Sequence, residues 1–82
     1  NSFNIFPNPS NGTFNIVFNY DLPKEIKISI SNTIGKIIKQ ENINYTSGIF
    51  NKIINLNTHS KGIYFIEIKI NKRSIKRKLI LQ

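Results

Sequence analysis

The chain contains no cysteine, no methionine and no tryptophan. Without cysteine no disulfide can staple the fold, and no thiolate can act as nucleophile or metal ligand. Acids are scarce, with Asp21, Glu25, Glu41 and Glu67 the only four. The nearest two, Asp21 and Glu25, straddle Pro23 at a turn and make a poor general acid–base pair. His59 is the single histidine. A zinc site would need three or four well-placed ligands, which this composition does not supply. Paired with Ser60 or Ser74, His59 would still lack an acid to orient it. Gly12, Gly35, Gly48 and Gly62 stand alone at strand boundaries, so no phosphate-cradling loop is present. No apolar run approaches the roughly 20 residues of a membrane-spanning helix, and the start has no signal-peptide pattern. These gaps speak against catalysis, and neither a cofactor nor a metal is expected.

What remains is strongly biased. Isoleucine occurs 18 times, asparagine 13 times and lysine 10 times, together half of the 82 residues. Isoleucine is β-branched and stiff at χ1, which suits a pleated surface better than a helix interior. A chain of this length holds one hydrophobic core and buries only about 60–65% of its unfolded surface. The formal net charge is +8. Lys24, Lys27, Lys36, Lys39, Lys52, Lys61, Lys69 and Lys72 are scattered, so compositional bias is the expected source of that charge. Lys72-Arg73 and Lys76-Arg77-Lys78 are the local clusters. The chain opens on Asn1 rather than methionine, and we read residues 1–82 as one domain excised from a larger protein.

Alternation gives the elements. Asn4-Ile5-Phe6 is a short edge strand that runs into Pro7-Asn8-Pro9, where proline removes ladder donors. Ser10-Asn11-Gly12 continues the turn. From Thr13 to Tyr20, Phe14, Ile16, Phe18 and Tyr20 share one face, and Asp21-Leu22-Pro23 ends the strand. Ile26, Ile28 and Ile30 face inward on the third strand. Asn32-Thr33-Ile34-Gly35 turns into a fourth, Lys36 to Glu41, making a hairpin. Asn42 to Gly48 is expected to be a loop, with Ile43 or Tyr45 folded back as a plug. Phe50 to Leu56 is a fifth strand, with Ile54 and Leu56 inward. Asn57 to Gly62 is a second loop, and Ile63 to Ile70 a sixth strand. A tight turn at Asn71-Lys72-Arg73 leads to Ser74–Leu81.

Seven short strands at this spacing predict two antiparallel sheets face to face, or a small barrel. The predicted core is Phe14, Phe18, Ile28, Ile30, Ile54, Tyr64, Ile66, Ile68 and Leu79. With Phe14, Phe18 and Tyr64 inward, only Phe65 and Tyr45 are placed to stack on bases. A nucleic-acid partner is therefore not expected. Asn11-Gly12-Thr13 and Asn44-Tyr45-Thr46 match the N-glycosylation triplet, which arises easily by chance in an asparagine-rich chain.

One ordered set of motifs is specific. Phe6-Pro7-Asn8-Pro9 precedes Gly12 and an alternating strand, and Ile30-Ser31-Asn32-Thr33-Ile34-Gly35-Lys36-Ile37-Ile38 occupies the middle. Asn55-Leu56 and Lys61-Gly62-Ile63-Tyr64-Phe65-Ile66-Glu67-Ile68 follow, and Lys76-Arg77-Lys78-Leu79-Ile80-Leu81 closes the chain. Over nearly its whole length the sequence resembles the type A C-terminal sorting domain of the type IX (Por) secretion system of the Bacteroidota. The resemblance carries the family's opening motif onto Pro7, Asn8, Pro9 and Gly12, and its glycine-lysine turn onto Gly35 and Lys36. It carries the glycine-x-tyrosine signature onto Gly62 and Tyr64, and the basic, apolar tail onto Lys78 to Leu81. Asn32 stands where the family usually has aspartate, and His59 where it usually has leucine. Asparagine can still bond its own turn backbone, and His59 implies a wetter loop.

The resemblance implies a seven-stranded, immunoglobulin-like β-sandwich at the C-terminus of a larger exported cargo. It implies passage through the periplasm and recognition by the outer-membrane translocon. An associated surface peptidase would cleave the domain, leaving the cargo at the cell surface or secreted. The sorting module is then a substrate, never a catalyst. From charge and position we expect recognition to concentrate in Lys76, Arg77, Lys78, Leu79, Ile80, Leu81 and Gln82, where a terminal basic strand is open to strand addition or to an acidic patch. The rival readings are a carbohydrate-binding or adhesion sandwich and a structural accessory domain.

Overall fold

The computed structural model describes residues 3–20, 24–45 and 48–82. The expected break at Asp21-Leu22-Pro23 lies outside the described residues, as do the side chains of Tyr20 and Tyr45. Seven strands follow in order: β1 (Phe3–Phe6), β2 (Thr13–Tyr20), β3 (Lys24–Asn32), β4 (Ile37–Tyr45), β5 (Gly48–Asn55), β6 (Gly62–Ile70) and β7 (Arg73–Leu81). They form a three-stranded sheet, β1-β2-β5, and a four-stranded sheet, β4-β3-β6-β7. All strand pairings are antiparallel.

Period-two alternation is what lets the two sheets share a core. Every second residue of a strand faces the same way, so one face of each sheet becomes apolar. Register then stacks like on like. Ile26 opposes Ile70, Ile28 opposes Ile68 and Ile30 opposes Ile66 between β3 and β6. In the three-stranded sheet Phe14 opposes Ile54 and Phe18 opposes Phe50, whose rings stack with centroids 4.6 Å apart. Apart from the half-buried Phe50, which packs against them, these side chains form with Ile16, Leu56, Tyr64, Leu79 and Leu81 one buried cluster drawn from both sheets. Each buried isoleucine or phenylalanine contributes about 1.5–3 kcal/mol relative to exposure. All nine residues of the expected core are buried.

The fourth strand differs from expectation. Asn42 to Tyr45 are strand rather than loop, paired with Lys27 to Lys24. Asparagine is a weak strand former, so the sequence signal fades there. The partner β3 is long enough to supply ladder bonds, and Ile43, opposite Ile26, packs half-buried on the core. Ile43 thus covers the core from within a strand, not from a folded-back loop. A register shift at Ile30/Ser31 leaves Ile38 as the extra residue of a bulge.

Farther along β4, Lys39 and Glu41 oppose Ile30 and Ile28 and so point to the inner side of an edge strand. Glu41 meets Lys52 of β5 at 3.1 Å, an ion pair that links the two sheets across their open side. Inward charges on an edge strand also discourage pairing with another chain.

Candidate functional site

The opening motif and the terminal strand are one hydrogen-bonded unit. Asn8 Nδ2 donates to the Lys78 carbonyl at 2.8 Å, and the Ile80 N–H donates to Asn8 Oδ1 at 3.1 Å. The Ser10 N–H donates to the Ile80 carbonyl and the Gln82 N–H to the Ser10 carbonyl, both at 2.8 Å, in a parallel bridge. An asparagine side chain offers one carbonyl and one amide, so it mimics a peptide group and caps a strand edge. Pro7 and Pro9, each preceded by a cis peptide bond, flank it and have no N–H to satisfy.

Ser10 is the one buried polar residue among those described. Its Oγ donates to the Thr13 carbonyl at 2.9 Å and accepts from the Gly12 N–H at 3.0 Å. Gly12 has φ +130°, and a Cβ there would sit 1.9 Å from Asn57 Oδ1. Its carbonyl accepts from the Leu56 N–H at 2.7 Å. Only glycine fits.

The β3–β4 turn is built on Asn32. Its Oδ1 accepts from the N–H groups of Ile34 (3.1 Å) and Lys36 (3.0 Å). A carboxylate oxygen would do the same, which is why asparagine substitutes for the usual aspartate without loss of the turn. Gly35 supplies the positive φ of +85°. At the start of β6, the buried Tyr64 donates its hydroxyl to the Ser60 carbonyl and so ties down the β5–β6 loop. His59 is half-exposed in that loop, its backbone N–H donating to the Leu56 carbonyl at 3.0 Å.

The fold gathers these positions at one end of the sandwich. Asn32 pairs with Tyr64, Tyr64 with Leu79, and Gly62 with Leu81, while Gly12 abuts the end of β5. Of the expected recognition residues, Lys76, Arg77, Lys78 and Gln82 are exposed and Ile80 is half-buried. Leu79 and Leu81 belong to the core. The outer edge of β7 is occupied at its C-terminal end, because Asn8 and Ser10 already bond Lys78, Ile80 and Gln82. Strand addition is closed there.

Sequence reasoning did not find the outer surface beside this end. Register places Lys78, Phe65, Ser31 and Ile37 in one row across β7, β6, β3 and β4, with Lys76, Glu67, Ser29 and Gln40 in the next. The two serines form the floor of a shallow depression of about 520 Å³ between larger neighbours. Outward apolar residues on β6, Ile63 and Phe65, were the available signal. Among the described residues no three histidine, cysteine, aspartate or glutamate side chains cluster as a metal site would require.

Compared with known proteins, residues 4–82 match the family model described as the secretion system C-terminal sorting domain. None of the curated proteins compared with the chain matches it. The matched span takes in every motif described above, from Pro7 to the terminal strand. The chain belongs to the type A secretion system C-terminal sorting domains of Por secretion, a family of non-catalytic sorting signals.

Proposed function

We propose that this domain is the export signal of a larger cargo attached before Asn1, read in its folded form by the type IX machinery at the outer membrane. A translocon would recognise it in the periplasm and a surface peptidase would remove it, leaving the cargo at the surface or secreted. The carrying observation is the Asn8 clamp on Lys78 and Ile80. It makes the geometry of the basic terminal strand depend on the opening motif, so a partner contacting Lys76 to Gln82 senses whether the whole domain has folded. The β1-β2-β5 and β4-β3-β6-β7 order supports an immunoglobulin-like sandwich in which the fourth strand has joined the sheet of the third. A sugar-binding sandwich would want a broad aromatic platform, whereas among the described residues the outer face of the four-stranded sheet carries Phe65 alone and that of the three-stranded sheet Phe6 alone.

The test is a fusion of a signal peptide, a reporter and these residues in a type IX-competent bacterium. Surface display of the reporter, lost when the translocon is deleted, is the expected result. Reporter held in the periplasm of the competent strain would overturn the proposal. Removing Lys78 to Gln82 should also block display, with the folded state of the shortened protein checked by circular dichroism.

A further inference from the structure

We propose that the outer face of the four-stranded sheet, centred on Phe65, docks an acidic protein segment that carries an apolar side chain. The proposal rests on the sorting reading for the identity of that partner, though not for the existence of the surface.

Three observations meet on this face. The depression has a hydroxyl floor, Ser29 and Ser31, walled by Phe65 on one side and Ile37 on the other. Gln40 Nε2 donates to Ser29 Oγ at 3.1 Å and ties the floor to β4. Phe65 is 39% exposed and Ile37 is 52% exposed, large for side chains that could have been polar at no cost to the core. Such a recess takes one apolar side chain.

Charge sets the rest of the partner. Lys76 and Lys78 line the β7 side, and Lys69 and Lys27 oppose each other in the row below. Glu67 lies among them, with its Oε2 accepting from Ser74 Oγ at 2.9 Å, and Glu25 lies beyond Lys27 and Lys69, leaving four lysines to two carboxylates. The field over the face is positive, so complementarity calls for carboxylates around the apolar group. A nucleic acid fits less well, because Glu67 would face its phosphates and one aromatic gives no stacking series. With strands about 4.8 Å apart, the face spans on the order of 400 Å² a side, which belongs to the small, transient interfaces. A signal that must be released after use needs that kind of contact.

The probe is a heptapeptide of glutamates with one central leucine, titrated into the isotope-labelled chain and followed by amide shifts. We expect shifts confined to the Phe65 and Glu67 rows, weakening with salt. Phe65→Ser should lower affinity at least tenfold, and Lys76→Glu about as much, while Ile53→Ser on the opposite sheet changes nothing. If Phe65→Ser does not fold, Ile37→Ser asks the same question. Shifts that follow every lysine equally, Lys52 and Lys61 included, would overturn the proposal. So would an unaltered affinity in the folded variants, or tighter binding of oligothymidylate or phosphatidylglycerol vesicles by the same rows. In the export fusion, normal display of Phe65→Ser beside a functional wild type removes this surface and leaves sorting intact. Failure of the wild type to be displayed, with the peptide still bound as expected, removes sorting and leaves the surface.

Discussion

The two outer faces of this sandwich have opposite characters. On the three-stranded sheet, register aligns Phe6, Asn15 and Ile53 in one row and Asn4, Val17 and Asn51 in another, with Asn19 beside Ile49. No side chain described on that face is charged. On the four-stranded sheet the corresponding rows carry Lys27, Lys69, Lys76 and Lys78. Asparagine takes on one face the solvating role that lysine takes on the other. Part of a positive charge that looked like diffuse compositional bias is therefore directional in space, since these four lysines share their face with only Glu25 and Glu67 among the described acids. Such asymmetry orients an encounter with an acidic partner and leaves the far side electrostatically quiet.

Removing what the faces share should have the largest effect. Ile66→Ala empties a fully buried position opposite Ile30 and should cost about 2–5 kcal/mol, enough to unfold much of so small a domain. Chemical denaturation should find both faces lost in one transition.

Gly12→Ala acts where the three-stranded sheet begins. The positive φ and the approach of Asn57 make an expected cost of about 1–3 kcal/mol. Hydrogen exchange should speed up at Leu56, whose N–H bonds the Gly12 carbonyl, with the rows of the basic face unshifted.

Asn8→Ala works at the opposite sheet. It removes two hydrogen bonds to the end of β7, for an expected loss of about 1–2 kcal/mol. Faster exchange at the Ile80 amide, with the β2–β5 ladder unchanged, is the expected signature. Equal loosening of both sheets would show that the clamp supports the whole fold rather than the basic strand.

The smallest effect belongs to the ion pair between the sheets. A double-mutant cycle on Glu41→Gln and Lys52→Gln should return a coupling of no more than about 1 kcal/mol, reduced by salt, because both side chains are about a third exposed. A larger coupling would mean that the two faces are held in register electrostatically as well as by the core.

Much of the fold was legible. Strict alternation of large β-branched and aromatic residues identified β2, β3 and β6, and every residue named as core is buried. The second half of β4 was not legible, since Asn42 and Asn44 look like loop and become strand only beside β3. Motif residues could be recognised along the chain, but their work could not. The clamp joins Asn8 to a strand 70 residues away, and no local pattern encodes such a contact.

By itself the sequence determined that isoleucine and phenylalanine at every second position would make strands with one apolar face, and it excluded thiol chemistry and an acid-rich metal site. It also carried the family's motifs in order. Tertiary structure decided which lysines are neighbours and which edge of β7 is open. A one-residue change of register would send each strand's side chains to the other face, so spacing in sequence cannot say which outward residues meet. That is why lysines far apart in the sequence meet on one outer face.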